Sequence, residues 1–181
     1  MLASAQQLLL STGDSLMHLS NFTLTTDVSA HGHLITLNAH GLEWDLHNHA
    51  DFEGFDYSTT ITSSSLTLKW RIGERIREWR DAGGQYGVPN YPCNRFCIVF
   101  TNVGCLEIAP RDGKMPKGED LGISYVSFIE AGENLEGYKH YELIPCYDPS
   151  KETLPYHLIF RFNGGQIIRV GAEKADFVLL D

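Results

Sequence analysis

The feature that most constrains the fold of this chain is an alternating stretch at residues 31–49, HGHLITLNAHGLEWDLHNH. A two-residue turn is expected at His40-Gly41, because glycine readily adopts the positive φ that such a turn needs. Counting outward from this turn sets Leu37 opposite Trp44. Side chains of a strand alternate between its two faces, so the apolar residues then share one face and the polar residues the other. The stretch therefore predicts a β-hairpin in a β-rich globular protein.

Five of the eight histidines lie in this hairpin. The predicted register places His31 and His33 on the apolar face and His47 and His49 on the polar face. Histidines on opposite faces of a sheet cannot close around one tetrahedral ion. A metal site would therefore need ligands from outside the hairpin, and the alternative ligand set is His47, His49 and Asp51. Two further carboxylates, those of Glu53 and Asp56, follow closely.

Two more hairpins are indicated further along the chain. The segments FDYSTTI and LTLKWRI can flank a turn at Ser63-Ser64, a register that sets Tyr57 opposite Trp70. Near the end, LIFRF and IIRV flank an NGGQ turn at residues 163–166. Between these hairpins, residues 94–103 are apolar on both alternating faces, which is typical of a strand covered on both sides.

One short helix interrupts the strands near residues 73–82. Ile72, Ile76 and Trp79 recur at helical spacing, and Gly83-Gly84 provides a stop. Some eight to ten strands with short turns predict an antiparallel β-sandwich or a partly closed β-barrel, built of hairpins, with this helix inserted. A length of 181 residues suits a single β-rich domain over residues 1–181.

Composition narrows the class of partner. The net charge of −9 disfavours nucleic acid, because phosphate contacts need Lys and Arg, and it suits a basic protein partner.

No apolar run approaches the roughly 20 residues that span a membrane. No Lys or Arg precedes the N-terminal leucines, so we expect no secretory signal and a cytoplasmic location. The four cysteines are expected to be mostly buried, reduced thiols.

The segment 69–91 is the strongest candidate for a binding surface. It concentrates arginines and aromatic residues in an otherwise acidic chain, and these residue types dominate the energetics of protein interfaces. A solvated helix with an ordinary packed face would show the same composition, so both interpretations stay open. The expected partner contacts are Arg75, Trp79, Arg80, Tyr86 and Tyr91.

An enzyme site has weaker support. Glu43, Asp45 and His47 share the polar phase of one predicted strand, and a neighbouring carboxylate and imidazole could act as an acid–base pair. Any solvated strand face shows the same alternation. No nucleophile elbow, phosphate loop or H-E-x-x-H motif occurs. We therefore expect no catalytic residue and no cofactor.

Two sequence features resemble small β-rich bacterial immunity proteins, which are encoded beside polymorphic or contact-dependent toxins. One is the F-x-N-V strand end formed by Phe100, Asn102 and Val103. The other is the late F-x-G-G turn and the strand after it. That second feature comprises Phe162, Gly164, Gly165, Ile168, Val170, Ala172 and Glu173. The resemblance implies a binding role. It carries over no catalytic motif and implies no particular partner.

The sequence thus leaves three functions open. The first is a protein-binding module, in its sharpest form an immunity or inhibitor protein that neutralises a basic toxin by direct binding. The second is a metal- or small-molecule-binding protein, or an enzyme, that uses the histidine-rich hairpin. The third is a subunit of a larger assembly whose strand edges dock by sheet extension. The oligomeric state is not predicted.

Overall fold

The computed structural model describes residues 17–24, 36–83, 89–139 and 156–180. The strands are β1 (His18–Ser20), β2 (Phe22–Leu24), β3 (Thr36–Ala39), β4 (Leu42–Asp45), β5 (Ala50–Thr59), β6 (Ser64–Ile72), β7 (Arg95–Ala109), β8 (Ile123–Glu130), β9 (Tyr156–Phe162) and β10 (Ile167–Leu180). The helices are α1 (Glu74–Asp81), the short α2 (Glu136–Lys139) and a 3₁₀ turn at Lys117–Asp120. None of the helices in these ranges is long or apolar enough to cross a membrane.

The strands form two sheets. The larger has the order β5-β6-β7-β10-β9-β8, with β1 pairing in parallel to β10, and it curls into a half-barrel. The smaller consists of β2, β3 and β4. Apart from β1, every pairing within both sheets is antiparallel. The predicted fold class, an antiparallel β structure built of hairpins with a helix near 73–82, is confirmed.

The first hairpin has the predicted register. Leu37 pairs with Trp44, and His40 and Gly41 form the turn with φ values of 52° and 73°. Two successive positive φ angles give the twist that the flanking strands require. The strands are shorter than expected, because Asp45 ends β4: its carboxylate accepts the backbone N–H groups of His47 and Asn48 and turns the chain. Residues 31–35 of the predicted hairpin, including Ile35, lie outside the described ranges.

The second hairpin was predicted in the wrong register. Tyr57 pairs with Leu66 and not with Trp70, and the turn spans residues 60–63 instead of Ser63-Ser64. The reason is Thr60, whose hydroxyl accepts the N–H groups of Thr62 and Ser63 and so closes an earlier turn. The displacement is even, so the apolar residues remain on the predicted face.

The main core lies on the inner face of the half-barrel, where the small sheet packs onto it through Trp44. The ring of Trp44 lies 4.8 Å from that of Phe96 and 4.9 Å from that of Phe177, and its indole N–H donates to Ala39 O. A second apolar cluster lies on the outer face of the large sheet, over β8, β9 and the adjoining ends of β7 and β10. It contains Ala109, Tyr125, Ile129, Leu135, Tyr138, Ile159 and Ile167. The strands at that end are therefore covered on both faces.

Candidate functional site

Helix α1 stands at one end of the half-barrel, between β6 and β7. Its entry is fixed by the N–H of Gly73, which donates to His49 O, and Ile76 is its buried anchor at 5% exposure. The helix ends at Asp81, and two residues later Gly83 takes a φ of 94°, a left-handed conformation that suits glycine. Most of the other side chains of the helix remain exposed or half-buried, so α1 presents a surface to solvent.

Arg75 and Trp79 make the most distinctive contact on this surface. They lie one helical turn apart, and the Arg75 guanidinium carbon sits 4.5 Å from the centre of the indole ring. Arg75 is exposed, whereas Trp79 is half-buried and packs against the main core. A cation held over an indole is a stacked pair with a fixed geometry. The structure thus brings these two predicted contacts together.

Arg80 has a different place. Its guanidinium donates to the Asn94 side chain at 3.1 Å and to the neighbouring Asp81 carboxylate at 3.1 Å. A longer contact of 3.5 Å reaches Tyr91 O. Its side chain is 21% exposed. Arg80 therefore ties α1 to the segment that leads into β7, and it supports the Arg75–Trp79 surface more than it extends it.

Tyr91 lies beneath this surface and not on it. Its side chain packs 4.6 Å from the Trp44 ring and the residue is 2% exposed. The hydroxyl donates to Glu43 O at 3.2 Å and receives the Nδ1–H of His49 at 2.8 Å. Burial raises the pKa of Tyr91 strongly. Tyr91, predicted as a partner contact, is therefore almost inaccessible to a partner. Tyr86, also predicted as a contact, lies outside the described residues.

The alternative metal ligands point to three different partners. His47 Nδ1 lies 2.7 Å from Ile123 O, His49 is bonded to Tyr91, and Asp51 faces Arg71 at 3.3 Å. The predicted strand face that carried His47 and His49 is a turn in the structure. Within the ranges that the structure describes, no group of three or more His, Cys, Asp or Glu residues is placed to hold a metal ion.

The groups considered for catalysis are likewise engaged elsewhere. Asp45 is occupied by the turn that follows β4, and its carboxylate also accepts from the Asn48 side chain. Burial raises the thiol pKa of Cys93, Cys97 and Cys105, which keeps these groups protonated at neutral pH. Cys146 lies outside the described residues. Protonated thiols are poor nucleophiles, so these three positions do not favour cysteine catalysis.

A second polar centre, which the sequence analysis missed, surrounds Arg169 on β10. Its side chain is 5% exposed, and its guanidinium donates to Glu133 O at 2.6 Å, to Glu130 O at 3.0 Å and to Ala131 O. Its Nε donates to His157 Nδ1 at 2.9 Å. Burial, and then the charge of Arg169, lower the pKa of His157 to about 4. The centre thus fastens the segment 130–133 to the sheet.

Arg161 on β9 plays a similar part beside it. It is 2% exposed and donates from Nε to Tyr138 O at 2.9 Å. Arg161 and Arg169 fall on the same face of the β9–β10 hairpin, because Arg161 pairs with Ile167 and Arg169 with Ile159. The sequence signal for this polar centre was the presence of two arginines on one face of the predicted hairpin. The sequence gave no indication of which backbone carbonyls they would bind.

No protein-family model matches the chain, and neither a curated protein nor a solved structure matches it.

Proposed function

We propose that this chain is a protein-binding module and that Arg75 and Trp79 on α1 form the centre of its binding surface. The observation that carries the proposal is the stacked Arg75–Trp79 pair, with its guanidinium 4.5 Å from the indole centre, on the exposed side of the helix. Trp and Arg are the residue types that most often dominate the binding energy of protein interfaces.

The support beneath this pair favours the same function. Ile76 is buried, and Arg80 ties the helix to Asn94, so the helix is anchored at both its apolar side and its C-terminal end. A binding residue held on an anchored element loses little conformational entropy when a partner arrives. The Arg75–Trp79 surface is therefore prepared for binding before the partner is met.

In its sharpest form the proposal is an immunity or inhibitor protein that neutralises a basic toxin by occluding it. The net charge of −9 would speed association with a basic partner. The resemblance of Phe100, Asn102 and Val103 and of the NGGQ hairpin to immunity-type proteins points to the same role. The cytoplasm is the proposed location, because such a protein protects the cell that makes it.

The test is a tagged pull-down from the native host, read by quantitative mass spectrometry, with three forms of the chain. Trp79→Ala should lower recovery of the main partner by roughly 30-fold, because a central interface residue contributes about 2 kcal/mol or more. The free energy of unfolding should fall by about 1–2 kcal/mol, since Trp79 is half-buried. Glu78→Ala, an exposed position on the same helix, is the matched control and should leave both quantities almost unchanged.

Two results would contradict the proposal. One is the absence of any stoichiometric partner for the wild-type chain. The other is unchanged recovery with a large loss of stability in Trp79→Ala, which would make Trp79 a core residue. If the recovered partner is basic and toxic, and if the chain suppresses its activity on mixing, the immunity form of the proposal is supported.

A further inference from the structure

The outer edge of β5 carries backbone groups that no other described element pairs. The N–H of Thr60 donates to Ser63 O, while the N–H of Phe52 points the other way, to Leu121 O. The backbone N–H and C=O groups of successive residues in an antiparallel strand point alternately to its two neighbours. Those of residues 56 and 58 therefore point to β6, and those of Phe55, Tyr57 and Thr59 point outward, away from the sheet. Past Phe52, no other described element donates a backbone hydrogen bond to this edge or accepts one from it.

The same residues carry apolar surface. Phe55 is 37% exposed and Tyr57 46%, although they lie directly opposite Leu68 and Leu66, which are fully buried. Ile61, at the tip of the hairpin, is fully exposed. The apolar inner face of the half-barrel therefore continues to the edge of the sheet. An exposed edge strand with apolar side chains is a template for pairing with another strand.

The charge of the edge restricts what can pair with it. Asp56 is the one charged residue in the sequence from Phe55 to Ser63, and Lys69 of the neighbouring strand neutralises it. A strongly basic or acidic partner would thus find no counter-charge here. Two copies of a chain with a net charge of −9 repel each other, and this repulsion is weaker between surfaces that carry no net charge, as this edge with its Asp56–Lys69 pair does.

We infer that the β5 edge pairs with the β5 edge of a second copy of this chain, antiparallel and two-fold symmetric about Tyr57. This register sets Tyr57 opposite Tyr57 of the second copy, Phe55 opposite Thr59, and Asp56 opposite Ser58. All three outward-facing residues then gain backbone partners, and their apolar side chains form one continuous face. The neighbouring register, centred on Asp56, would place two carboxylates opposite each other and is disfavoured.

The pairing is independent of the Arg75–Trp79 surface, so the two proposals can fail separately. Analytical ultracentrifugation of the wild-type chain over a series of concentrations should show the mass rising from 20.3 kDa toward twice that value. Trp79→Ala should associate like the wild type. A monomer at every concentration would overturn the inference. Slow hydrogen exchange at Tyr57 in such a monomer would show that the chain covers the edge itself.

Tyr57→Lys breaks the symmetric contact directly. It should weaken association by roughly tenfold or more, because two ammonium groups then face each other at the centre of the interface. Thr62→Lys adds the same charge in the exposed turn, away from the outward edge, and should associate almost as the wild type does. Circular dichroism and melting temperature confirm that both variants fold. Equal association of both variants would place the interface elsewhere.

The register is tested with single cysteines. Asp56 and Ser58 of two copies would form a pair without hydrogen bonds, with Cα atoms about 4.5 Å apart, within the range of a disulfide. Oxidation of a mixture of Asp56→Cys and Ser58→Cys should therefore give a crosslinked dimer. Ser58→Cys alone, which keeps both Asp56 carboxylates, should crosslink no more than the wild type with its own cysteines. Efficient crosslinking of Ser58→Cys with itself would overturn the proposed register.

Discussion

The two end strands of the large sheet differ sharply in how they are covered. In β8, Ile123 and Val126 join the main core on one face, and Tyr125 and Ile129 join the second apolar cluster on the other. In β5, every residue from Phe55 to Thr59 is exposed. The two strands belong to the same sheet and both contain aromatic residues. The difference therefore comes from what lies over them.

The cover over β8 is the segment 131–139, and two buried arginines hold it there. Leu135 and Tyr138 supply its apolar contacts, while Arg169 and Arg161 bind its backbone carbonyls. The cover is thus attached through its backbone, and the cations come from the interior of the sheet. At β5 the cations Lys69 and Arg95 reach only the carboxylates of the strand itself, Asp56 and Glu53. A cation of the sheet therefore helps to cover an edge strand when it binds the backbone of another segment, and not when it binds a carboxylate of that strand.

The largest expected effect comes from removing the cation under the β8 cover. Arg169→Ala should lower the free energy of unfolding by about 3–5 kcal/mol, because it leaves several buried carbonyls without a donor. Arg169→Lys should recover little, since an ammonium cannot reproduce the fork that binds these carbonyls together. Urea unfolding measures both.

Arg95→Ala is the matched control at the β5 side. Its side chain is 56% exposed and pairs with Glu53 at 2.9 Å, so its loss should cost less than about 1 kcal/mol. Equal costs for the two alanine variants would mean that the Arg169 contacts do not hold the cover, and the contrast between the two end strands would then need another cause.

The pH dependence of stability sharpens the same comparison through His157. This residue pairs with Ile129 of β8 and is neutral in the folded state, because burial and the charge of Arg169 lower its pKa to about 4. Between pH 6.5 and about 4 the unfolded chain binds a proton that the folded chain does not. The free energy of unfolding should therefore decrease by about 2–3 kcal/mol as the pH falls through this window, and His157 should contribute no further loss below it.

His157→Gln isolates this contribution from the carboxylates that titrate nearby. Glutamine retains an acceptor for Arg169 Nε but does not titrate. Urea unfolding at pH 7 and at pH 4 should show a smaller decrease for the variant by the same 2–3 kcal/mol. Parallel pH profiles for wild type and variant would contradict a neutral, buried His157.

The sequence predicted the parts of the fold that local pattern controls. The His40-Gly41 turn and the alternation around Leu37 and Trp44 determine the first hairpin, and helical spacing with a glycine stop determines α1. The second hairpin was misregistered because the Thr60 side chain, and no glycine, closes its turn. A side chain that takes over backbone hydrogen bonds is hard to distinguish, in sequence, from any other threonine in a strand.

The candidate site was predictable only in part, for a related reason. Arg75 and Trp79 meet one helical turn apart, which spacing alone anticipates. Tyr91 belongs to the same segment, but Trp44 and His49 draw it into the core across more than forty positions of sequence. Arg169 owes its role to the backbone carbonyls of Glu130, Ala131 and Glu133, which lie at the end of β8 and in the segment that follows it. Contacts between distant segments decide whether an aromatic or cationic residue is buried, and composition does not reveal them.

A smaller effect than those of Arg169 and His157 is expected at the edge of β5. Gly54 forms a bulge with φ at 121°, and no atom lies within 4 Å of where a Cβ would stand. Gly54→Ala should therefore cost about 1–2 kcal/mol through backbone strain alone, without any clash. Gly118→Ala has equally open space and an ordinary φ, so in urea unfolding it should change stability by less than about 0.5 kcal/mol. If the two variants cost the same, the bulge relaxes into regular pairing. The β5 edge would then run straight past Gly54, and Tyr57 would present a flatter surface to a second strand.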